Sequence, residues 1–295
     1  MTAAAVREIE AKTLLSSSKR PDPWFGLKYT MNLYRGCQHR CIYCDSRSLC
    51  YGIEDFDGEV LIKANALELL RRELARKRIK GYIGTGSMND PYMPLERTLR
   101  VTGQALEIIA EFRFPVHVLT KSDLVLRDAD ILQTIQQDTS AVVSFTITTP
   151  DDALARQVEP GAPSSSARFA AMASLAGRGI RTGVLLMPVL PFIEDSPQAI
   201  EEIVTRAHDC GASHVIASFG MTLRDRQREH YYQELDRRFP GLRPRYERAF
   251  GERYSAAAAG AARLDTFFRA LADRYGLQRK VPPYEPLKAK QLGLF

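Results

Sequence analysis

The stretch Asn32-Leu33-Tyr34-Arg35-Gly36-Cys37-Gln38-His39-Arg40-Cys41-Ile42-Tyr43-Cys44 decides the reading of this chain. Its three cysteines follow C-x3-C-x-aromatic-C, with Tyr43 before the third. Thiolates at this spacing can hold three corners of a cubane iron–sulfur cluster. The fourth iron then has no local protein ligand, although four cysteines are the usual set. An open iron is a place for chemistry, by the logic that separates open catalytic zinc sites from closed structural ones. The alternative is a zinc ion with Cys50 as its fourth ligand. Zinc sites usually pair C-x2-C with a second, distant pair of ligands. Here one compact cluster stands alone, with His39 between two of its cysteines. Five cysteines in 295 residues is an odd number, and no signal-peptide pattern opens the chain, so a disulfide framework is not expected. Cys210 ends a helical run before a glycine and reads as a structural thiol.

Outward from this run, short apolar segments at 28–34, 81–86, 115–120, 141–147, 182–190 and 213–219 read as strands. Between them, 64–78, 98–111, 127–137, 164–178 and 196–209 carry apolar residues three and four apart, as in Leu67, Leu70 and Leu74, which predicts helices. Apolar strands alternating with helices imply a parallel sheet covered by helices. Six such units predict an α/β fold of the partial (β/α)6 TIM-type barrel kind. Residues 1–27 read as an irregular lead-in, and 28–221 as the barrel. Residues 222–278 read as an Arg-rich helical extension with a helix over 256–275, and 279–295 as an extended tail rich in Pro and Lys.

No apolar run is long enough to span a bilayer, so no membrane association is expected. Reduced cysteines point to the cytoplasm. The net charge of +6 and pI of 9.1 are compatible with a nucleic-acid partner. Segment 222–254 interleaves nine arginines with aromatics and could track a nucleic-acid backbone; the plainer account is a solvated helix whose arginines meet Glu229, Glu234, Glu247 and Glu252.

In a parallel barrel, functional residues follow the C-terminal ends of strands. The cysteine run follows the first strand. The second ends in Gly84-Thr-Gly-Ser-Met-Asn-Asp-Pro-Tyr-Met-Pro-Leu-Glu96, where the glycines allow close approach of a ligand and Asn89 and Asp90 can bind its polar groups or make an Asx turn. The third ends in Thr120-Lys121-Ser122, and the fourth carries Ser144, Thr146 and Thr148 on one face. Glu159-Pro-Gly-Ala-Pro163 with Arg168, and Pro188-Val-Leu-Pro191, come next.

These blocks, in this order over about residues 28–220, resemble the spore photoproduct lyase-like branch of the radical S-adenosylmethionine (SAM) superfamily. The resemblance implies a [4Fe–4S] cluster on Cys37, Cys41 and Cys44, whose open iron chelates SAM. It implies reductive cleavage of SAM to a 5′-deoxyadenosyl radical, an electron donor such as flavodoxin or ferredoxin, and SAM contacts from Tyr43, Thr85, Gly86, Asn89, Lys121 and Ser144. A DNA lesion or base is the substrate class it points to. A peptide or small metabolite is the rival within radical enzymes, and a non-catalytic zinc protein docking on a replication partner is the rival outside them. Two departures stand out. The family's lyases carry a cysteine hydrogen donor after strand two, where this chain reads Gly86-Ser87-Met88-Asn89-Asp90. They carry tyrosine after the third cluster cysteine, where this chain has Asp45.

The last residues, Gln291-Leu292-Gly293-Leu294-Phe295, resemble the peptide by which bacterial replication and repair proteins dock on the β sliding clamp. Exposed apolar anchors at a terminus call for a partner, or else fold back to cover the barrel. Deleting 291–295 is expected to abolish binding to a bacterial clamp, measured by surface plasmon resonance, while leaving the melting temperature unchanged. A loss of several degrees with no clamp binding by the intact chain identifies the tail as a structural plug.

Overall fold

The computed structural model describes residues 5–86 and 88–286. Gln291, Leu292, Leu294 and Phe295 lie outside the described residues. In chain order the strands are β1 (Ala5–Ile9), β2 (Leu15–Ser17), β3 (Leu27–Met31), β4 (Tyr34–Arg35), β5 (Glu59–Lys63), β6 (Tyr82–Thr85), β7 (Val116–Thr120), β8 (Ala141–Thr146), β9 (Arg181–Leu186), β10 (His214–Ala217), β11 (Gly220–Thr222) and β12 (Ser255–Ala257). The helices are α1 (Ala66–Leu74), α2 (Glu96–Leu99), α3 (Val101–Glu111), α4 (Ala129–Asp138), α5 (Asp152–Val158), α6 (Ser165–Gly177), α7 (Pro197–Asp209), α8 (Gln227–Arg238), α9 (Leu242–Phe250) and α10 (Ala261–Arg274).

The main sheet runs β10-β9-β8-β7-β6-β3-β2. From β3 to β10 all neighbours are parallel, and β2 is antiparallel at one edge. This is the expected (β/α)6 partial barrel. Its strands are buried on both faces, as in Ala141–Thr146, because the helices cover one side and barrel contents the other. Helix starts follow from local chemistry. At α7 the Ser196 hydroxyl accepts from the Ala199 amide at 3.2 Å, and Pro197 occupies the first turn, where no amide is needed. Ile200, Ile203, Val204 and Ala207 then form the buried stripe.

Three expectations are corrected. The lead-in 1–27 is not irregular throughout: β1 pairs parallel with β5, and β2 antiparallel with β3. Strand β1 is almost wholly exposed, so it lacks the burial alternation that marks a strand in sequence. The helix expected at 256–275 is not part of an extension. As α10 it packs on α7 and buries Leu264, Phe268, Leu271 and Ala272 in the main core, so it completes the sixth β/α unit. Segment 220–258 is therefore an insertion between β10 and α10, holding α8, α9 and the β11–β12 ribbon. Finally, the start of the tail is built into the barrel. Gln278 bridges to His214, and the Val281 amide donates to the Trp24 carbonyl at 2.8 Å. Val281 is fully buried against Leu27, Tyr82 and Ile216. Residues 22–26 and 278–282 are thus joined beside the outer strands of the partial barrel. Gly26 is needed there: its φ is +68°, and a Cβ would lie 2.7 Å from the Pro282 carbonyl oxygen.

Phe268→Ala is expected to lower stability by about 3–5 kcal/mol, the cost of emptying a packed aromatic site. Chemical denaturation measures it. A change below about 0.5 kcal/mol, typical of surface positions, contradicts the placement of α10 in the core.

Candidate active site

A cavity of about 700 Å³ opens at the C-terminal ends of the strands. Cys37, Cys41 and Cys44 line it together with His39, Tyr43, Thr85, Gly86, Asn89, Asp90 and Lys121. The β11–β12 ribbon, through Gly220–Thr222 and Ser255–Ala257, forms another part of its wall. All three cysteines are free thiols. Burial pushes the Cys37 thiol up to about 12, with the Asp90 charge adding to the effect, and burial also raises Cys41 and Cys44. Bound metal reverses that preference, because thiolate is the ligand.

The cysteine loop is braced from below by a buried ion pair. Glu159 and Arg168 are each only 1% exposed and meet at 2.5 Å. The Tyr43 hydroxyl donates to the other Glu159 oxygen. Burial opposes the Glu159 charge, but Arg168 and Lys121 outweigh it and hold the carboxyl below its ordinary value. Arg168 also donates to the Pro163 and Thr146 carbonyls, which satisfies the guanidinium. The backbone adds two ties: Ile42 N to the Val158 carbonyl at 3.0 Å and Gly161 N to the His39 carbonyl at 2.9 Å. A Cβ on Gly161 would lie 2.2 Å from the Gln38 carbonyl oxygen, so only glycine lets the two loops touch. The sequence reading singled out this block without assigning it this bracing role.

Asp90 organises the other wall. It accepts from Tyr92 N at 2.8 Å, Thr120 Oγ1 at 2.7 Å and Lys121 N at 2.6 Å, and lies 3.3 Å from His39 Nδ1. Burial alone would raise its pKa; His39 and these donors reverse that and bring it down to about 2. The Asx turn considered from sequence is therefore real at Asp90. The Asn89 amide is likewise turned to the fold, donating to the Tyr34 carbonyl at 2.9 Å.

Of the expected SAM contacts, Tyr43, Thr85, Gly86, Asn89 and Lys121 line the cavity and Ser144 does not. Ser144 is fully buried between His117 Nε2 and His214 Nε2, each at 2.7 Å. His117 Nδ1 faces the Phe25 carbonyl at 3.0 Å, so it carries the proton and its Nε2 accepts from Ser144. The two histidines come from β7 and β10, and sequence spacing alone could not pair them with β8. Burial brings His117 down to about 4 and His214 well below its ordinary value, so both are neutral at pH 7.

The geometry fits the implied cofactors. Three free thiols line one cavity, and a cubane takes three thiolates on three separate irons, so the donor set suits the cluster. Cys50 is no fourth ligand here: it is exposed, outside this cavity, and accepts from Ser48 Oγ at 3.2 Å and Arg224 Nη1 at 3.4 Å. For SAM, Thr85 Oγ1 is buried at the cavity with no hydrogen-bond partner among the described residues. Gly86, at φ +85°, packs where a Cβ would lie 2.1 Å from the Leu119 carbonyl oxygen. The Lys121 Nζ stands 5.7 Å from the Tyr43 ring centroid. Burial opposes its charge, but Cys41, Glu159 and Asp90 prevail and keep the ammonium ionised.

The chain belongs to the radical SAM superfamily, whose family model matches residues 31–207. It is 30% identical over 252 residues to an uncharacterized protein of Mycobacterium tuberculosis, covering 79% of this chain and 74% of the relative. It is 34% identical over 197 residues to an uncharacterized protein of Methanocaldococcus jannaschii, covering 66% and 71%. Its fold matches spore photoproduct lyase complexed with dinucleoside spore photoproduct, with a TM-score of 0.69 at 17% identity over 92% of this chain and 81% of that one. It is a radical SAM enzyme with the fold of that lyase. No helix among the described residues is long and apolar enough to cross a membrane.

Asp90 contributes stability above its ordinary value of 3.8 and loses it as pH falls toward about 2. The contribution is about 2 kcal/mol. Asp90→Asn is expected to destabilise the protein near pH 6 and to flatten the fall in stability between pH 4 and 2. Parallel acid limbs for the two proteins, followed by circular dichroism, contradict this assignment.

Proposed function

We propose that this chain binds a [4Fe–4S] cluster through Cys37, Cys41 and Cys44, binds SAM in the same cavity, and acts on a nucleic-acid base or lesion. The observation that carries the first part is the convergence of the three free thiols on a cavity that also holds Lys121 and a Thr85 hydroxyl unpartnered among the described residues. When bound, the cluster and SAM supply a 5′-deoxyadenosyl radical by reductive cleavage of the sulfonium. The protein's own part is placement. Thr85 Oγ1 and the backbone at Gly86 offer polar contacts, and the Lys121 ammonium offers a charge-assisted donor to an anionic group. The Tyr43–Glu159–Arg168 chain holds the loop that carries the thiols.

The substrate class rests on three supports. The lyase whose fold this chain shares has been solved with a dinucleoside spore photoproduct bound. The net charge is +6. The cavity is bordered by the Arg- and Tyr-bearing insertion. That insertion is not a bare cationic stripe. Arg224 pairs with Asp45, Arg228 with Glu252, Arg237 and Arg238 with Glu234, and Arg243 with Asp236 and Glu247. Four of the nine arginines, Arg228, Arg237, Arg238 and Arg243, thus meet the glutamates of the plainer account.

The lyase reaction itself is not proposed. The loop after β6 has no cysteine, and Asp45 replaces the expected tyrosine. Asp45 instead accepts from Thr222 Oγ1 at 2.7 Å and meets Arg224 at 2.7 Å, tying the cysteine loop to the insertion.

Anaerobic reconstitution with iron, sulfide, SAM and a reductant tests the proposal, read by metal and sulfide content and by 5′-deoxyadenosine release. Wild type and Cys50→Ser are expected to hold about four irons per chain, as the cluster requires, and to release 5′-deoxyadenosine. Cys37→Ala, Cys41→Ala and Cys44→Ala are expected to do neither. Zinc in place of iron, or loss of iron in Cys50→Ser, overturns the three-thiolate site.

A further inference from the structure

A second cavity, of about 980 Å³, lies against the outer side of the cysteine loop. It is lined by Ser48 and Cys50 from that loop and by Arg224, Arg228, Tyr232 and Tyr254 from the insertion. The two cavities share a thin wall. Thr222 lines the first and Leu223 the second; Ser255 lines the first and Tyr254 the second. The Asp45–Arg224 pair crosses the same wall, with Asp45 on the side of the thiols and Arg224 on the other. A molecule that fills both cavities must be extended, with one unit at the reaction centre and the next in the second cavity.

The chemistry of the second cavity describes that next unit. Tyr254 is 57% exposed, although it sits beside the tightly paired ribbon. The Arg224 guanidinium lies 5.3 Å from its ring centroid and 5.6 Å from that of Tyr51, an alternation of cation and ring that suits a flat π-system. Tyr232 is only 5% exposed, and neither its hydroxyl nor Arg228 Nε has a hydrogen-bond partner among the described residues. The carboxylates here are already engaged: Asp225 by Leu49 N, Glu229 by Gln233, Glu247 by Arg243 and Glu252 by Arg228. The Tyr232 hydroxyl and Arg228 Nε lie within the wall, so the group open to the cavity is the Tyr254 ring with the Arg224 guanidinium beside it, which matches a flat aromatic base.

We infer that the second cavity is a subsite for the nucleotide adjoining the one that reacts, its base stacked on Tyr254. This rests on the nucleic-acid reading above and adds that the substrate is a strand rather than a single nucleoside. The contact is also joined to the reaction centre. Residues 224–227 clamp the cysteine loop: Arg226 donates to the carbonyls of Arg47, Ile53 and Glu54, and Gln227 to that of Tyr43.

The test uses reconstituted protein with SAM bound and a fluorescein-labelled thymidine octamer, (dT)8, read by fluorescence anisotropy. SAM affinity is measured in parallel. Tyr254→Ala is expected to weaken octamer binding about ten-fold or more, the loss of one stacked base. Tyr254→Phe, which keeps the ring, is expected to stay within about two-fold of wild type, and SAM affinity is expected to be unchanged in both. Wild-type binding of the octamer with Tyr254→Ala equal to it overturns the subsite and leaves the nucleic-acid reading standing. A loss in Tyr254→Phe as large as in Tyr254→Ala, or a matching loss of SAM affinity, overturns the stacking role. Failure of wild type to bind the octamer at all removes both readings and leaves a peptide or metabolite as the substrate class.

Discussion

The buried pair of Glu159 and Arg168 is the constraint on which the site depends. Two charges, each 1% exposed, are held at 2.5 Å. Removing either partner strands the other without compensation, a cost of about 3–5 kcal/mol. The pair survives burial because its remaining hydrogen-bonding capacity is filled: Tyr43 on the carboxylate, and the Pro163 and Thr146 carbonyls on the guanidinium. Through Tyr43 it reaches the residue next to the third thiol. Through Gly161 it reaches the backbone between the first and second. The loop that carries the three thiols is thereby held from a helix start rather than by its own short contacts.

The same economy governs the rest of the cavity. Asp90 spends its charge on Lys121 N, Thr120 and His39, which fixes the end of β7 and leaves the Lys121 side chain facing the cavity. Glu159 and Asp90, with Cys41, keep that side chain charged against the cost of burial. Deeper in the barrel, neutral His117 and His214 hold Ser144. Polar groups near the cysteines thus fall into two kinds. Asp90, Glu159 and Arg168 build the frame, while Lys121 and Thr85, whose hydroxyl has no partner among the described residues, line the cavity proposed for SAM.

Much of this was legible in the sequence, for physical reasons that vary by element. The thiolate spacing is a local property, so Cys37, Cys41 and Cys44 could be read directly. Apolar runs such as Ala141–Thr146 announce strands buried on both faces, and the six parallel strands followed. What depends on distant partners was not legible. Ser144 shares a face with Thr146, yet its hydroxyl is claimed by histidines that lie 27 and 70 residues away. Strand β1 exists through pairing with β5, not through an apolar pattern of its own. Helix α10 stands 43 residues after β10 (217 to 261, exclusive), a gap that made a barrel helix look like part of an appendage. The sequence shows the charges of 222–254 and not their partners, so the pairing of Arg228, Arg238 and Arg243 with Glu252, Glu234 and Glu247 became definite only in the fold.

The central claim is that three thiolates leave one iron open for SAM. Electron paramagnetic resonance of the reconstituted, reduced protein addresses it directly. The account predicts the signal of a reduced [4Fe–4S] cluster whose g-values shift when SAM is added, because SAM ligates the open iron. A cluster signal that SAM leaves unchanged contradicts the account, as does a reconstituted protein that holds only zinc.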